Sequence, residues 1–395
     1  MTALTFAEAR ACVLENIFVR VPETEVVDLL AAAGRILAAD LAADRDYPPT
    51  ARSVRDGFAV RSVDLPGRLR LIGEVRAGES YPGTVGIGET VEIMTGAPMP
   101  AGADQVIMVE HVQREGDFVV IHSLPSPGTN FNPRGVEAAA GQRVLEAGQR
   151  LGFAHISQLA TIGVSRVPVF IKPRVAILAT GDELVAVDAQ PRADQVRNSN
   201  AYSLAVQVAR AGGEPILLST AHDTAASTRA LLQQGLEADL LLISGGVSAG
   251  KYDLVETILA ELEAKFFFTR VRVQPGQPLV FGQCRERFFF GLPGNPSSTM
   301  VTFELFARAA IELLSGALTP MLPMLIASLT APLLQKAGLT RVLPAVLSPD
   351  GHTVTPIHWK GSGDVTSLAR ANCFTVSDPD REAYQAGDLI RVLLQ

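Results

Sequence analysis

Between residues 174 and 316 one pattern recurs: an apolar run of strand length, a turn of glycine and small polar residues, then helical spacing. RVAILATGDEL, DLLLISGGVSAGKYD and RFFFGLPGNPSSTMVTFELF all follow it. Strands alternating with helices in this way call for a mostly parallel sheet, and such a sheet collects ligand-binding groups at the carboxyl ends of its strands. The spacing predicts strands at 175–179, 216–219, 240–244, 266–273 and 287–291, with helices over 200–211, 224–237, 253–264 and 297–314. Asn200 is the expected N-cap of the first helix, with Gly212 and Gly213 as its stop, and Asp223 is expected to open the second.

The flanks read differently. Residues 5–18 have helical apolar spacing behind Thr5, and 26–38 is rich in helix formers, so two helices are expected there. Asp46-Tyr47-Pro48-Pro49 breaks the pattern. From 47 to 139 short alternating runs separated by Gly, Pro and Asp predict a small β module. Helical spacing returns over 144–172, which would make that module an insertion. After the break at LTPMLPML, 321–395 is again β.

The balance of 34 basic against 41 acidic residues gives no electrostatic footprint for nucleic acid. No apolar run approaches the roughly 20 residues of a membrane span, and the acidic start is not a signal peptide, so a cytoplasmic protein is expected. Cys12, Cys284 and Cys373 lie far apart, with neither disulfide nor zinc spacing. The six histidines show no visible partnership, so no nucleophilic triad is expected, and Walker A and dinucleotide-binding fingerprints are absent.

Four turns could carry chemistry. Ser244, Gly245, Gly246, Val247, Ser248 and Gly250 follow a strand and precede a helix, which suits a phosphate held by backbone N–H groups; a plain glycine-rich turn is the alternative. Asp253 beyond them is either an N-cap or a carboxylate beside phosphate, the latter requiring Mg²⁺. Pro293, Gly294, Asn295, Pro296, Ser297 and Ser298 form a second loop, dense in special residues, in which Ser297 or Ser298 can cap the helix. Gly181, Asp182 and Glu183 end one strand and Asp223 follows another; each acid could face solvent or cap a helix. All lie at the ends of one sheet, so a single cleft could gather them around a metal and a phosphate.

Taken together, ATGDEL, SGGVSAGKYD, PGQP and GLPGNPSS, with SVRDGFAV, IMTGAPMPAGAD and GSGDVTSLARAN, resemble the molybdopterin molybdenumtransferase family, which includes the C-terminal part of gephyrin. The resemblance spans essentially the whole chain. It implies a multidomain α/β fold. A central, mostly parallel three-layer domain (174–320) would be joined by an extended helical domain (1–46 plus 140–173), an inserted β domain (47–139) and a C-terminal β domain (321–395). It also implies insertion of molybdate, as substrate, into adenylylated molybdopterin with Mg²⁺-dependent release of AMP. A homodimer and a molybdopterin adenylyltransferase are the implied protein partners.

Carried across, Glu183, Asp223 and Asp253 belong to the catalytic cleft, with Asp223 and Asp253 as metal ligands. Gly181, Asp182, the loops at 244–250 and 293–298, and Pro275 with Gly276 would bind substrate. Asp56, Thr95 and Glu137 would approach from the other subunit, and Ser362 from the C-terminal domain. The chain departs from the family at Gln274 and Gln277, where lysines are frequent, at Glu137, where Asp is usual, and at Arg341, which stands without a second arginine. Two neutral amides in place of cations weaken Coulombic capture of an oxyanion, and Arg270 or Arg272 would have to compensate. That change motivates an alternative: a non-catalytic relative that holds molybdopterin. A nucleotide hydrolase on a related α/β domain is a weaker alternative, disfavoured by the added β domains.

Overall fold

The computed structural model describes residues 2–17, 22–122, 128–246 and 254–395. Its centre is a six-stranded sheet in the order Glu214–Leu217, Arg174–Ala179, Leu240–Ser244, Arg287–Leu292, Val280–Cys284, Lys265–Phe268. The first four strands are mutually parallel and the last two antiparallel. The parallel strands Arg174–Ala179 and Leu240–Ser244 are almost continuously apolar because both faces are covered. Phe281, Phe288 and Phe290 face one apolar core; Val280 and Phe289 face the other.

A long helical run at 296–314 lies in the first of those cores and carries one π-helical stretch, Phe303–Ala307. The N-terminal helix Phe6–Asn16 packs against it, with Phe6 edge-on to Phe306 at 5.8 Å. Thr5 caps that helix reciprocally with Glu8.

The helix expected over 26–38 does not form. Thr24–Asp28 is instead a strand paired with Arg166–Phe170, followed by one 3₁₀ turn, Leu29–Ala32. The β-branched Thr24, Val26 and Val27 satisfy their backbone across the ribbon, and Gly34 at φ +78° ends the turn. Helical spacing at 144–172 likewise reduces to one helix, Phe153–Thr161, between short strands.

The β module holds a second six-stranded sheet, in the order Gln105–Met108, Gly57–Val60, Glu89–Ile93, Gly67–Val75, Phe118–Ile121, Gln113–Glu115. In the C-terminal region Thr340–Leu347, Thr353–Pro356, Met324–Leu329, Leu389–Leu394 and Cys373–Val376 pair in sequence, and the last returns to the first, closing a small barrel. Val273–Gln274 adds to this barrel beside Thr340 and Arg341, so the QPGQP segment is tied to both domains.

Candidate active-site cleft

The cleft is built by four turns at the carboxyl ends of the parallel strands. Gly245 and Gly246 follow Leu240–Ser244 at φ of +92° and +64°. A Cβ on Gly246 would sit 2.8 Å from Thr180 Oγ1 and from Val255 Cγ2, so only glycine fits. Gly245 does not present its N–H outward as a free donor; it gives it to the Leu292 carbonyl at 3.1 Å. Gly294 approaches so closely that its Cβ would lie 3.5 Å from Gly245 Cα. The 244–246 and 293–295 loops therefore form one surface. Val247, Ser248, Gly250 and Asp253 lie outside the described residues.

A residue that sequence reasoning treated as a cap holds this surface together. Asn198, not Asn200, caps helix Ser199–Ala211, accepting from Ala201 N. Asn200 is buried, and its Nδ2 lies 2.8 Å from Ser244 Oγ, 2.8 Å from Gly294 O and 3.2 Å from Thr299 Oγ1. The two asparagines of Asn198-Ser199-Asn200 offered the signal, since both cannot cap one helix.

At the head of the 296–314 run, neither Ser297 nor Ser298 caps. Asn295 occupies the cap position without a capping bond, and the Ser297 hydroxyl is buried with no partner among the described residues. Ser362 enters here from the C-terminal region. Its Oγ accepts from Asn295 Nδ2 at 2.8 Å and its carbonyl accepts from Ser297 N at 2.9 Å.

The carboxylates occupy the neighbouring turns. Gly181 N donates to Ala221 O at 3.1 Å, which draws the turn after Arg174–Ala179 against that after Glu214–Leu217. Asp182 Oδ1 lies 3.0 Å from His222 Nδ1 and accepts from Asp223 N at 3.3 Å. Those contacts, His222 first, hold its carboxyl below the usual range. His222 thus has a partner, contrary to the sequence expectation; the contact runs between two turns and no linear spacing encodes it. Helix Ala225–Gly235 is capped by Thr224 rather than Asp223, whose carboxylate receives no hydrogen bond from the described residues. Glu183 is exposed and folds its carboxylate back over Gly181. These are hard oxygen donors of the type Mg²⁺ prefers. The described residues contain no cluster of three candidate metal ligands.

Pro275 and Gly276 are buried, with Gly276 at φ +116° against Thr302, whereas Gln277 is exposed. Arg270 lies near Glu256, and Arg272 lies near Glu8 and beside Gly338. Arg341 gives one guanidinium N–H to Leu334 O at 2.9 Å.

Asp56 and Thr95 form a separate pair. Asp56 Oδ1 accepts from both the amide and the hydroxyl of Thr95 at 2.7 Å, and these bonds hold the carboxyl below its usual range. Ser53 N bonds Ala97 O and Gly96 N bonds Ser53 O, which interlocks the two loops. Gly57 runs so close to the Ile107 carbonyl that any Cβ would overlap it. Glu137 is exposed, its amide bonded to Tyr47 O at 2.9 Å, on a segment that pairs beside Arg52 and Ser53. Among the described residues no hydrogen bond or ion pair joins Asp56, Thr95 or Glu137 to the cleft of the same chain.

Fold and cleft together define a multidomain α/β protein whose strand-end loops and carboxylates suit a phosphorylated ligand. Residues 4–163 match the MoeA N-terminal region (domain I and II), 176–313 a probable molybdopterin binding domain, and 327–395 the MoeA C-terminal region (domain IV). The chain is 38% identical over 305 residues to the molybdopterin molybdenumtransferase of Nostoc sp., covering 74% of this chain and 70% of the relative. It is 34% identical to that of Bacillus subtilis, covering 94% and 90%. The crystal structure of the molybdopterin biosynthesis MoeA protein from Pyrococcus horikoshii OT3 superposes with a TM-score of 0.84 at 29% identity, covering 100% of both chains. The chain belongs to the molybdopterin molybdenumtransferase family, a family of enzymes.

Proposed function

We propose that this protein takes adenylylated molybdopterin and molybdate, releases AMP in a Mg²⁺-dependent step and leaves molybdenum on the dithiolene. The observation that carries the reading is the convergence of Ser244, Asn200, Asn295, Ser297 and Ser362 at the head of the 296–314 run, beside the carboxylate turns. A phosphoryl group or the tetrahedral molybdate dianion needs fixed donors, and such preorganised groups act most strongly where little water intervenes.

In this reading the glycine turn at 245–246 and the loop at 293–298 seat the pterin phosphate and molybdate. Asn200 fixes the spacing between the two loops from beneath. Asp182 orients Asp223 through the Asp223 amide. Asp223 and Asp253 would hold Mg²⁺, which supplies charge neutralisation at the phosphoryl oxygens. Glu183, on the turn after Arg174–Ala179, would act at the rim of the same cleft.

Two copies are proposed to complete each cleft, with Asp56, Thr95 and Glu137 of one copy facing the carboxylates of the other. The absence of a bond from these residues to the cleft of their own chain, among the described residues, supports that arrangement. The adenylylated substrate requires delivery by a molybdopterin adenylyltransferase, and the free thiols suit a cytoplasmic setting. No helix among the described residues is long and apolar enough to cross a membrane.

Asp253→Asn tests the assignment of the acids. The variant should fold, by near-ultraviolet circular dichroism, and lose about a hundred-fold or more of its molybdate-triggered AMP release. Turnover at the wild-type rate would remove Asp253 from the machinery. If the wild-type protein retained molybdopterin but released no AMP, the non-catalytic alternative raised by Gln274 and Gln277 would stand.

A further inference from the structure

Past Trp359, the loop that ends at Asp364 leaves the C-terminal barrel with open space beside its two glycines. A Cβ placed on Gly361 or Gly363 would meet no atom within 4 Å, and Gly361 holds a φ of +124°. A glycine-rich, open loop ordinarily keeps much conformational freedom. One side chain fixes this one. Asp364 Oδ2 accepts from Lys360 N at 3.1 Å and from Ser367 Oγ at 2.6 Å, and its Oδ1 accepts from Ser367 N at 3.0 Å. Its own amide donates to Gly361 O at 2.9 Å, so Asp364 closes the turn at both ends. The group the turn delivers is Ser362, whose hydroxyl oxygen and carbonyl meet Asn295 and Ser297. A second observation marks that meeting point. The Ser297 hydroxyl is buried there with no partner among the described residues, although buried polar groups are nearly always paired.

We infer that Asp364 is a positioning residue of this site: acting through Ser362, it sets the pocket that takes a substrate oxyanion at the head of the 296–314 run. The inference rests on the function proposed above. Ser362 Oγ accepts from Asn295 and keeps its own proton to donate to the anion. The Ser367 bonds and the Lys360 amide pull the Asp364 carboxyl down to about 2, so the turn keeps its acceptor at any working pH.

Trp359, the single tryptophan, reports on the same loop; it packs against the barrel core, and its indole N–H has no partner among the described residues. The test uses full-length wild type, Asp364→Ala, Asp364→Asn and Ser362→Ala. Asp364→Ala should raise the KM for molybdate-triggered AMP release on the order of ten-fold, the loss of one hydrogen bond to a charged ligand, with little change in kcat. It should also shift Trp359 emission to longer wavelength. Asp364→Asn keeps one of the two acceptor oxygens and should recover part of both readouts, while Ser362→Ala should raise KM without moving the emission.

Separate titrations with molybdate and with AMP, read by Trp359, identify which oxyanion sits at the helix head by which one Asp364→Ala weakens. If the wild type releases no AMP, the proposed reaction fails while these titrations still decide the inference. Asp364→Ala binding both anions as wild type does, or Asp364→Asn impaired as much as Asp364→Ala, overturns it. Should Asp364→Ala not fold, Ser367→Ala removes one of the bonds and should raise KM in milder form; an unchanged KM there also overturns the inference.

Discussion

A Cβ on Gly276 would overlap Thr302 Cγ2, and the φ of +116° is one L-residues rarely adopt. Gly276→Ala should therefore cost about 1–3 kcal/mol, read as a lower urea midpoint. Asn200→Ala leaves Gly294 O and Ser244 Oγ without their buried donor and should also cost about 1–3 kcal/mol. The glycines were legible as candidates because their density in turns is a linear property. Asn200 was not, because its importance comes from reaching Ser244 and Gly294, far away in sequence. His222 was missed for the same reason: its partner Asp182 sits on another strand's turn.

Among the elements, the strand-turn-helix units were readable because an apolar strand covered on both faces has one continuous signature. The 26–38 segment misled because Leu and Ala favour helices locally, while pairing with Arg166–Phe170 is a long-range event. The 296–314 run carries a buried ladder in which Arg308 meets Glu304 and Glu312 at 3.1 Å each, and Glu312 also faces Arg150 at 3.8 Å. Arg308→Met would leave two nearly buried carboxylates poorly compensated, and a loss of about 3–5 kcal/mol is expected by chemical denaturation. The Asp364 turn has its own pH signature. Its folded pKa, about 2, lies below the unfolded value, so its contribution is present above the unfolded pKa and lost as pH falls through about 2. Asp364→Asn should flatten that part of the acid-unfolding profile.

At the scale of the whole molecule, Val273–Gln274 and Ser362 join the α/β domain to the C-terminal barrel from two directions, so the cleft depends on their relative placement. Family membership was readable from several motifs in order, whereas a shared cleft between copies is a proposal no single chain contains. Mixing Asp56→Ala with Asp223→Ala protein tests it. Random exchange makes half the dimers mixed, each with one intact cleft, so activity should return to about a quarter of wild type; no recovery after verified exchange would place both residues in one chain's site. The most direct measurement of the central claim is AMP formed by the purified wild-type protein from adenylylated molybdopterin. AMP release that begins on molybdate addition, requires Mg²⁺ and leaves molybdenum bound to the pterin is the predicted result. Intact adenylylated substrate after molybdate and Mg²⁺ are added would contradict it.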